Sequence, residues 1–428
     1  MERISMFKSI LLVPLSAAAA LASAEEAPSL SVPLTPEAFT EAVLAHNASL
    51  EAMRQSVVGA LARVKPAGKL DDPMLNVSAA PRTFGTSGGP NGDVEISQSL
   101  PWWGTLDARK ESARAEAEAV TQDFAALRLR LAALARGAFA DWTYIQHALE
   151  INNASQSLLI ELRNVARIRY TTGQVPQEDV LQADVERAML KQQRLEWERE
   201  RVVVLARMNA LLDRAPRTAI PEASPLPETT TLPAEEMLAE RALGHPRLEE
   251  LAAQRRAAEA RQTLAEKERY PKFGVSTGYN NMWSDPAMRP TVGLSFTVPL
   301  DQGKYRAQID AARAEARRTA AILEDERASV LADLSSAYAM VREAAQSSAL
   351  YRDELVPLAR STLEVARSEY GTGRGDFLNV LTAEKRWLDT ELGLARTRSE
   401  YYRALAELDR ASGGGLLEPL QENRGSDL

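Results

Sequence analysis

The 428-residue chain contains no cysteine. It therefore has no disulfide framework, no thiolate nucleophile or ligand, and no acceptor for a lipid anchor. Aromatic residues make up only 6% of it, and its abundance of Ala, Leu, Arg and Glu favours long helices over a large globular interior. Past the N-terminus no stretch approaches the roughly 18 consecutive apolar residues of a transmembrane helix, so any passage through a membrane has to be made by strands. The formal net charge is −8 and no basic patch is present, which argues against nucleic acid as a partner. The three histidines, His46, His147 and His245, are scattered, and no Ser/His/Asp arrangement or phosphate loop stands out. The sequence thus offers no catalytic residues, no cofactor site and no metal site. His46 and His245 occupy nearly equivalent places in two copies of a repeat described below, which favours roles at helix ends.

Residues 1–24 read as an export signal. Arg3 and Lys8 supply the positive start, Ile10 to Leu21 the apolar stretch, and Ala22-Ser23-Ala24 a small-residue cleavage site before Glu25. The mature chain is expected outside the cytoplasm.

What the chain does have is a duplication. Val165 to Ala183 and Val365 to Ala383 share V-A-R-x-x-Y-x-T-G-x-x-x-x-x-x-V-L-x-A without a gap, two hundred positions apart. Upstream, V-x-I-S-x-S-L-P at Val94 to Pro101 matches V-x-L-S-x-T-V-P at Val292 to Pro299. Each is followed by A-R-A-E-A, at Ala113 to Ala117 and Ala312 to Ala316. What one copy of such a unit leaves unfinished must be completed by the other copy or by another chain.

Each copy reads as helix, strand, loop, strand, long helix, tight turn, helix. The first repeat spans 25–213, with a helix from near Pro36 to about Lys65 and strands at about 73–80 and 92–100. Its long helix covers about 105–170, its tip about 171–176, and its return helix about 177–213. A proline-rich linker, 214–233, leads to the second repeat, 234–412. There the strands fall at about 272–280 and 290–299, the long helix at 304–370, the tip at 371–375 and the return helix at 376–411, before a polar tail at 413–428. The strands rest on period-two alternation, such as Val292, Leu294, Phe296 and Val298 against Gly293, Ser295 and Thr297. Their length suits a tilted membrane strand, and Trp102, Trp103 and Trp283 suit membrane interfaces. A soluble hairpin with one buried face is the alternative on the strands alone. Each long helix is nearly free of breakers and would reach about 100 Å. In the return helices, Val380, Trp387, Leu394, Tyr401 and Leu408 recur at heptad spacing beside a second apolar column, as suits a helix with neighbours on both sides.

Four strands cannot close a membrane barrel, whose smallest forms have about eight, and open edges in lipid are costly. Two copies would give eight strands and three would give twelve.

Over essentially the whole mature chain the residues resemble the TolC-like outer-membrane efflux proteins. The resemblance rests on the duplicated unit, the S-x-P junction before A-R-A-E-A, the T-G tip followed by D-V-L-Q-A at Asp179 to Ala183 and N-V-L-T-A at Asn379 to Ala383, and Y-x-x-A-x-A-x-L at Tyr401 to Leu408. It implies a mostly α fold with a small membrane β part: a homotrimer with a twelve-stranded barrel in the lipid of a Gram-negative outer membrane, continued by a helical barrel in the periplasm. It also implies a periplasmic adaptor and an inner-membrane pump of the RND type as partners. The residues from Asn281 to Pro299, with Met282 and Met288, look similar to family members serving metal-ion pumps such as the Cus and Czc systems; loop methionines with no ligand role are the plainer reading.

The resemblance places the entrance at the tip, constricted by acidic residues one turn apart on the inner helices of the second copy. Those positions fall on Asn379 and Thr382, so this chain departs from the acidic pattern. Asp376, Glu384 and Asp179 are the remaining gate candidates, with a helix cap as the plainer role for Asp376. The tip residues Thr172, Gly173, Gln174 and Val175, with Thr372, Gly373, Arg374 and Gly375, are the candidates for contact with the adaptor. A periplasmic adaptor or a coiled-coil scaffold without a channel is the competing class.

Overall fold

In the computed structural model residues 31–80, 92–227, 231–283 and 285–417 are described, so the expected export signal, the first inter-strand loop and most of the tail lie outside the described residues. Helix α1, Pro36–His46, begins at Thr35, whose hydroxyl accepts from the Ala38 amide at 3.2 Å. The sequence suggests one helix continuing to about Lys65, but the chain breaks at Asn47 and restarts as α2, Ala48–Ala67. The side-chain carbonyl of Asn47 accepts from the amides of Ser49 and Leu50 at 3.1 and 3.3 Å, while its amide group donates to the Leu211 carbonyl at 3.0 Å. One Asn thus ends one helix, caps the next and ties both to a distant one.

Strands β1, Met74–Ala79, and β2, Gly92–Leu100, lead into α3, Thr105–Thr171, a helix of 67 residues. It turns into α4, Gln177–Leu211. The second repeat runs α5, Glu235–Ala242; α6, Pro246–Glu268; β3, Lys272–Asn280; β4, Pro290–Thr297; and α7, Gln302–Leu350. The long helix expected over 304–370 runs on without a gap, but it widens into a π-turn at Tyr351–Leu355 before α8, Val356–Thr372. Pro357 explains the widening: it has no N–H to donate and its ring displaces the carbonyl four residues back, so the ladder opens locally. The ring of Tyr351 lies against Gly393 of α9, Phe377–Ala411, where any Cβ would overlap it.

The four strands form one antiparallel sheet in the order β1-β2-β3-β4, which leaves β1 and β4 as edges. Leu75 pairs with Ile96, Val94 with Tyr279, and Val275 with Leu294, so apolar residues line one face. That face is bare: Val77, Ile96, Leu294 and Phe296 are exposed, and Val292 is 86% exposed. Asn76, Ser78, Glu95, Ser97, Ser276 and Ser295 alternate onto the other face.

Below the sheet, α3 packs on α2 and α6, and α6 on α7; at the far end α3 packs on α4 and α9, and α9 on α8. Between the ends, Leu34, Phe39, Phe139, Trp142, Met208 and Leu212 form a core with α1 and the proline-rich segment. Leu34 joins that segment by backbone bonds with Glu222 and Ser224 at 2.9 and 2.7 Å. Arg136 of α3 and Asp409 of α9 make a buried ion pair at 2.6 Å, joining the two repeats. His46 ends α1 and His245 caps α6, accepting from the Arg247 amide at 3.1 Å.

Candidate functional site

The peptides that betray the duplication become two helical turns at the end furthest from the sheet. In each, a glycine takes the left-handed conformation that closes a helix, Gly173 at φ 72° and Gly373 at φ 78°. The amide after each glycine returns to the helix: Gln174 donates to the Arg169 carbonyl and Arg374 to the Glu369 carbonyl, both at 2.9 Å. The Thr172 and Thr372 hydroxyls fold back onto the preceding turns. Thr172, Gly173, Gln174, Thr372, Gly373 and Arg374 are therefore exposed on rigid, internally bonded turns.

Beneath these turns the two repeats part company. Tyr170 is 42% exposed and Tyr370, its counterpart, is 2% exposed. Tyr370 packs on Phe377 with ring centroids 5.1 Å apart, within a core that includes Leu159, Leu162, Val380 and Leu381. Its hydroxyl donates to the Asp179 carboxylate at 3.0 Å, linking α8 to α4. Burial, then the hydrogen bond to Asp179, pushes the Tyr370 phenol well above its ordinary range, so it remains a donor. The Arg169 guanidinium sits 4.9 Å from the Tyr370 ring centroid and donates to the Tyr370 carbonyl. A side chain at Gly373 would come within 3.0 Å of that guanidinium, and one at Gly375 within 3.0 Å of Glu369, which explains small residues on this turn. Val175, facing Gly375 in the repeat, packs against the core instead.

Of the gate candidates, Asp179 is the one the structure ties across the tip. Asp376 starts α9 but makes no side-chain capping bond, and it is exposed. Asn379 and Thr382 are exposed too; the Thr382 hydroxyl donates to the Leu378 carbonyl at 2.8 Å. Glu384 departs from its expected place at an aperture: it is buried in the helix packing, because its position falls on the seam of α9. Tyr370 and Arg169 were missed as site residues, although both lie within the repeated peptide: Arg169 faces Glu369 in the other copy, a charge reversal the sequence shows, whereas Tyr370 shares its letter with Tyr170 and only burial sets the two tyrosines apart.

At the other end, Trp102 stacks on Tyr270 at 4.8 Å and packs edge-on against Trp103 at 4.9 Å, with Phe273 and Phe296 completing an aromatic cluster where strands become helices. Trp283 lies exposed in the β3–β4 connection, at the opposite end of those strands. Met282 and Met288 are exposed there, and no group of three His, Cys, Asp or Glu able to hold a metal ion is found among the described residues.

Residues 238–414, nearly the whole second repeat and the first two residues after it, match the family described as outer membrane efflux protein. Solved structures with the same fold include the outer membrane protein VceC of Vibrio cholerae, at 19% identity over 89% of this chain and 96% of that one, with a TM-score of 0.76. CusC is similar at 18% identity over 89% of this chain and 92% of its own, also at 0.76. The outer membrane channel MtrE of Neisseria gonorrhoeae, in its open state, matches at 18% over 89% of each chain, at 0.75. No curated protein matches the chain. The resemblance to TolC-like outer-membrane proteins is thus borne out by the family match and the fold, a mostly helical chain with a small antiparallel sheet.

Proposed function

We infer that three copies of this chain, which shares its fold with outer-membrane channels and its second repeat with the outer membrane efflux family, form the exit duct of a tripartite efflux pump. Three four-stranded sheets close a twelve-stranded barrel in the outer membrane, and the helices continue as a tunnel across the periplasm. An inner-membrane pump of the RND type delivers cargo through a periplasmic adaptor seated on the tips. This chain performs no bond chemistry; its work is to conduct and to gate.

The observation that carries the reading is the sheet. It presents an exposed apolar face, two unpaired edges, and aromatic residues at both ends. A strand of nine residues such as β3 rises about 30 Å, comparable to the roughly 25 Å apolar band of an outer-membrane barrel. A periplasmic adaptor or scaffold would have no use for that face, because in water it would invite aggregation.

Within this reading the tip is the gate, held by the Tyr370 to Asp179 bond, with Asp376, Asn379 and Thr382 as exposed residues of the inner helix beside the aperture. Trp102, Trp103 and Trp283 mark the membrane interfaces. The adaptor meets Thr172 to Val175 and Thr372 to Gly375. Crosslinkers at Gln174 and Arg374 should capture an adaptor hairpin; capture only near the barrel would reverse the orientation. Cargo choice belongs to the pump: CusC, VceC and MtrE share the fold to nearly the same degree, so the fold does not single out metal ions.

A further inference from the structure

Asp184 in α4 and Glu384 in α9 stand two hundred residues apart at the same place in the repeat. Asp184 is served by two cations, Arg163 of α3 at 2.6 Å and Arg187 at 3.5 Å. In the second repeat the counterparts of those arginines are Leu363 and Trp387, both in or against the apolar core of the tip. Both copies carry the carboxyl; only the first carries the cations.

Glu384 is 3% exposed, and its Oε1 has no hydrogen-bond partner. From α3 its polar neighbour is the Ser155 hydroxyl, itself buried and without a partner; from α4 comes Glu186, and α9 itself adds Asp389. α8 contributes Leu363 to the surrounding core, Arg163 and Arg187 on the facing helices α3 and α4 are engaged by Asp184, and Lys385 and Arg386 beside Glu384 on α9 are exposed. Burial first, then the two nearby carboxylates, push the Glu384 carboxyl up to about 7, with the Ser155 hydroxyl offsetting part of the rise.

We propose that Glu384 is a proton-operated lock on the tip: protonated, it lets the seam of α3, α4 and α9 close over it, and ionised, it loosens that seam toward the dilated entrance. The proposal rests on reading the tip as the entrance. Its sign follows from the raised value. The closed packing holds its full advantage below the ordinary carboxylate value of 4.5 and loses it as pH rises through about 7. Acid tightens the tip; neutral to alkaline conditions release it.

The test is hydrogen exchange of the α9 amides in full-length trimers at about pH 5.5 and about pH 8, corrected for the intrinsic pH dependence of exchange, with bilayer conductance recorded in parallel. The wild type should show protection at least roughly tenfold greater at the lower pH, and Glu384→Gln should be protected alike at both. Leu363→Arg, which restores the first repeat's cation beside an intact carboxyl, should also abolish the response. Asp184→Asn should leave it in place. An unchanged pH response in Glu384→Gln, or none in the wild type, overturns the lock. Absence of current at every pH, with the exchange response intact, would instead count against the channel and leave the lock standing.

Discussion

The Tyr370 hydroxyl and the Asp179 carboxylate lie 191 residues apart in sequence and 3.0 Å apart in space, and their bond joins the two repeats at the tip. Tyr370→Phe removes the donor while keeping the ring in its core, at a cost of about 1 to 2 kcal/mol to the closed tip, since the acceptor is charged but half-exposed. Raised open probability in bilayers checks it, and adding Asp179→Ala should change little more, because each change removes the same bond. A second residue-scale expectation concerns Arg136 and Asp409. Asp409→Ala strands a buried guanidinium and frees the Leu416 and Leu417 amides that the carboxylate accepts, so thermal unfolding should reveal a loss of about 3 to 5 kcal/mol. Neither pair was legible in the sequence. Asp179 stood out only as a difference between copies, and its partner Tyr370 carries the same letter as Tyr170. What separates the two tyrosines is burial, which no pattern of one chain records.

At the scale of elements the sequence was most readable where local rules suffice. Period-two alternation marked all four strands, and Thr-Gly turns marked the tips, because glycine is what the left-handed closing residue requires. It missed one helix stop and one local widening. Asn47 stops α1 through a hydrogen bond to Leu211, a contact across 164 residues, and the π-turn at Tyr351–Leu355 depends on room beside Gly393 as much as on Pro357. That room can be tested. Gly393→Leu should displace the Tyr351 ring and destabilise the second repeat by about 1 to 3 kcal/mol, with Tyr351→Ala in the same chain recovering much of the loss. Independent, additive losses in thermal unfolding would show that the ring and the glycine do not share one space.

For the whole molecule, the duplication is a way of building a tube from few parts, and the copies differ where the tube must act. Asp184 has arginine partners and Glu384 has none, and Tyr170 is open to solvent while Tyr370 is buried. The helices fill the inner seams of one protomer, but the exposed sheet face and the unpaired β1 and β4 edges require lipid and further copies. That incompleteness was visible in the sequence as a count of strands; the number three came from resemblance. The most direct measurement is therefore a structure, by electron cryo-microscopy, of the protein extracted from outer membranes. The account predicts three chains with β1 of each paired to β4 of the next in a closed barrel of twelve strands. A soluble monomer, or an assembly in which those edges stay unpaired, would contradict it.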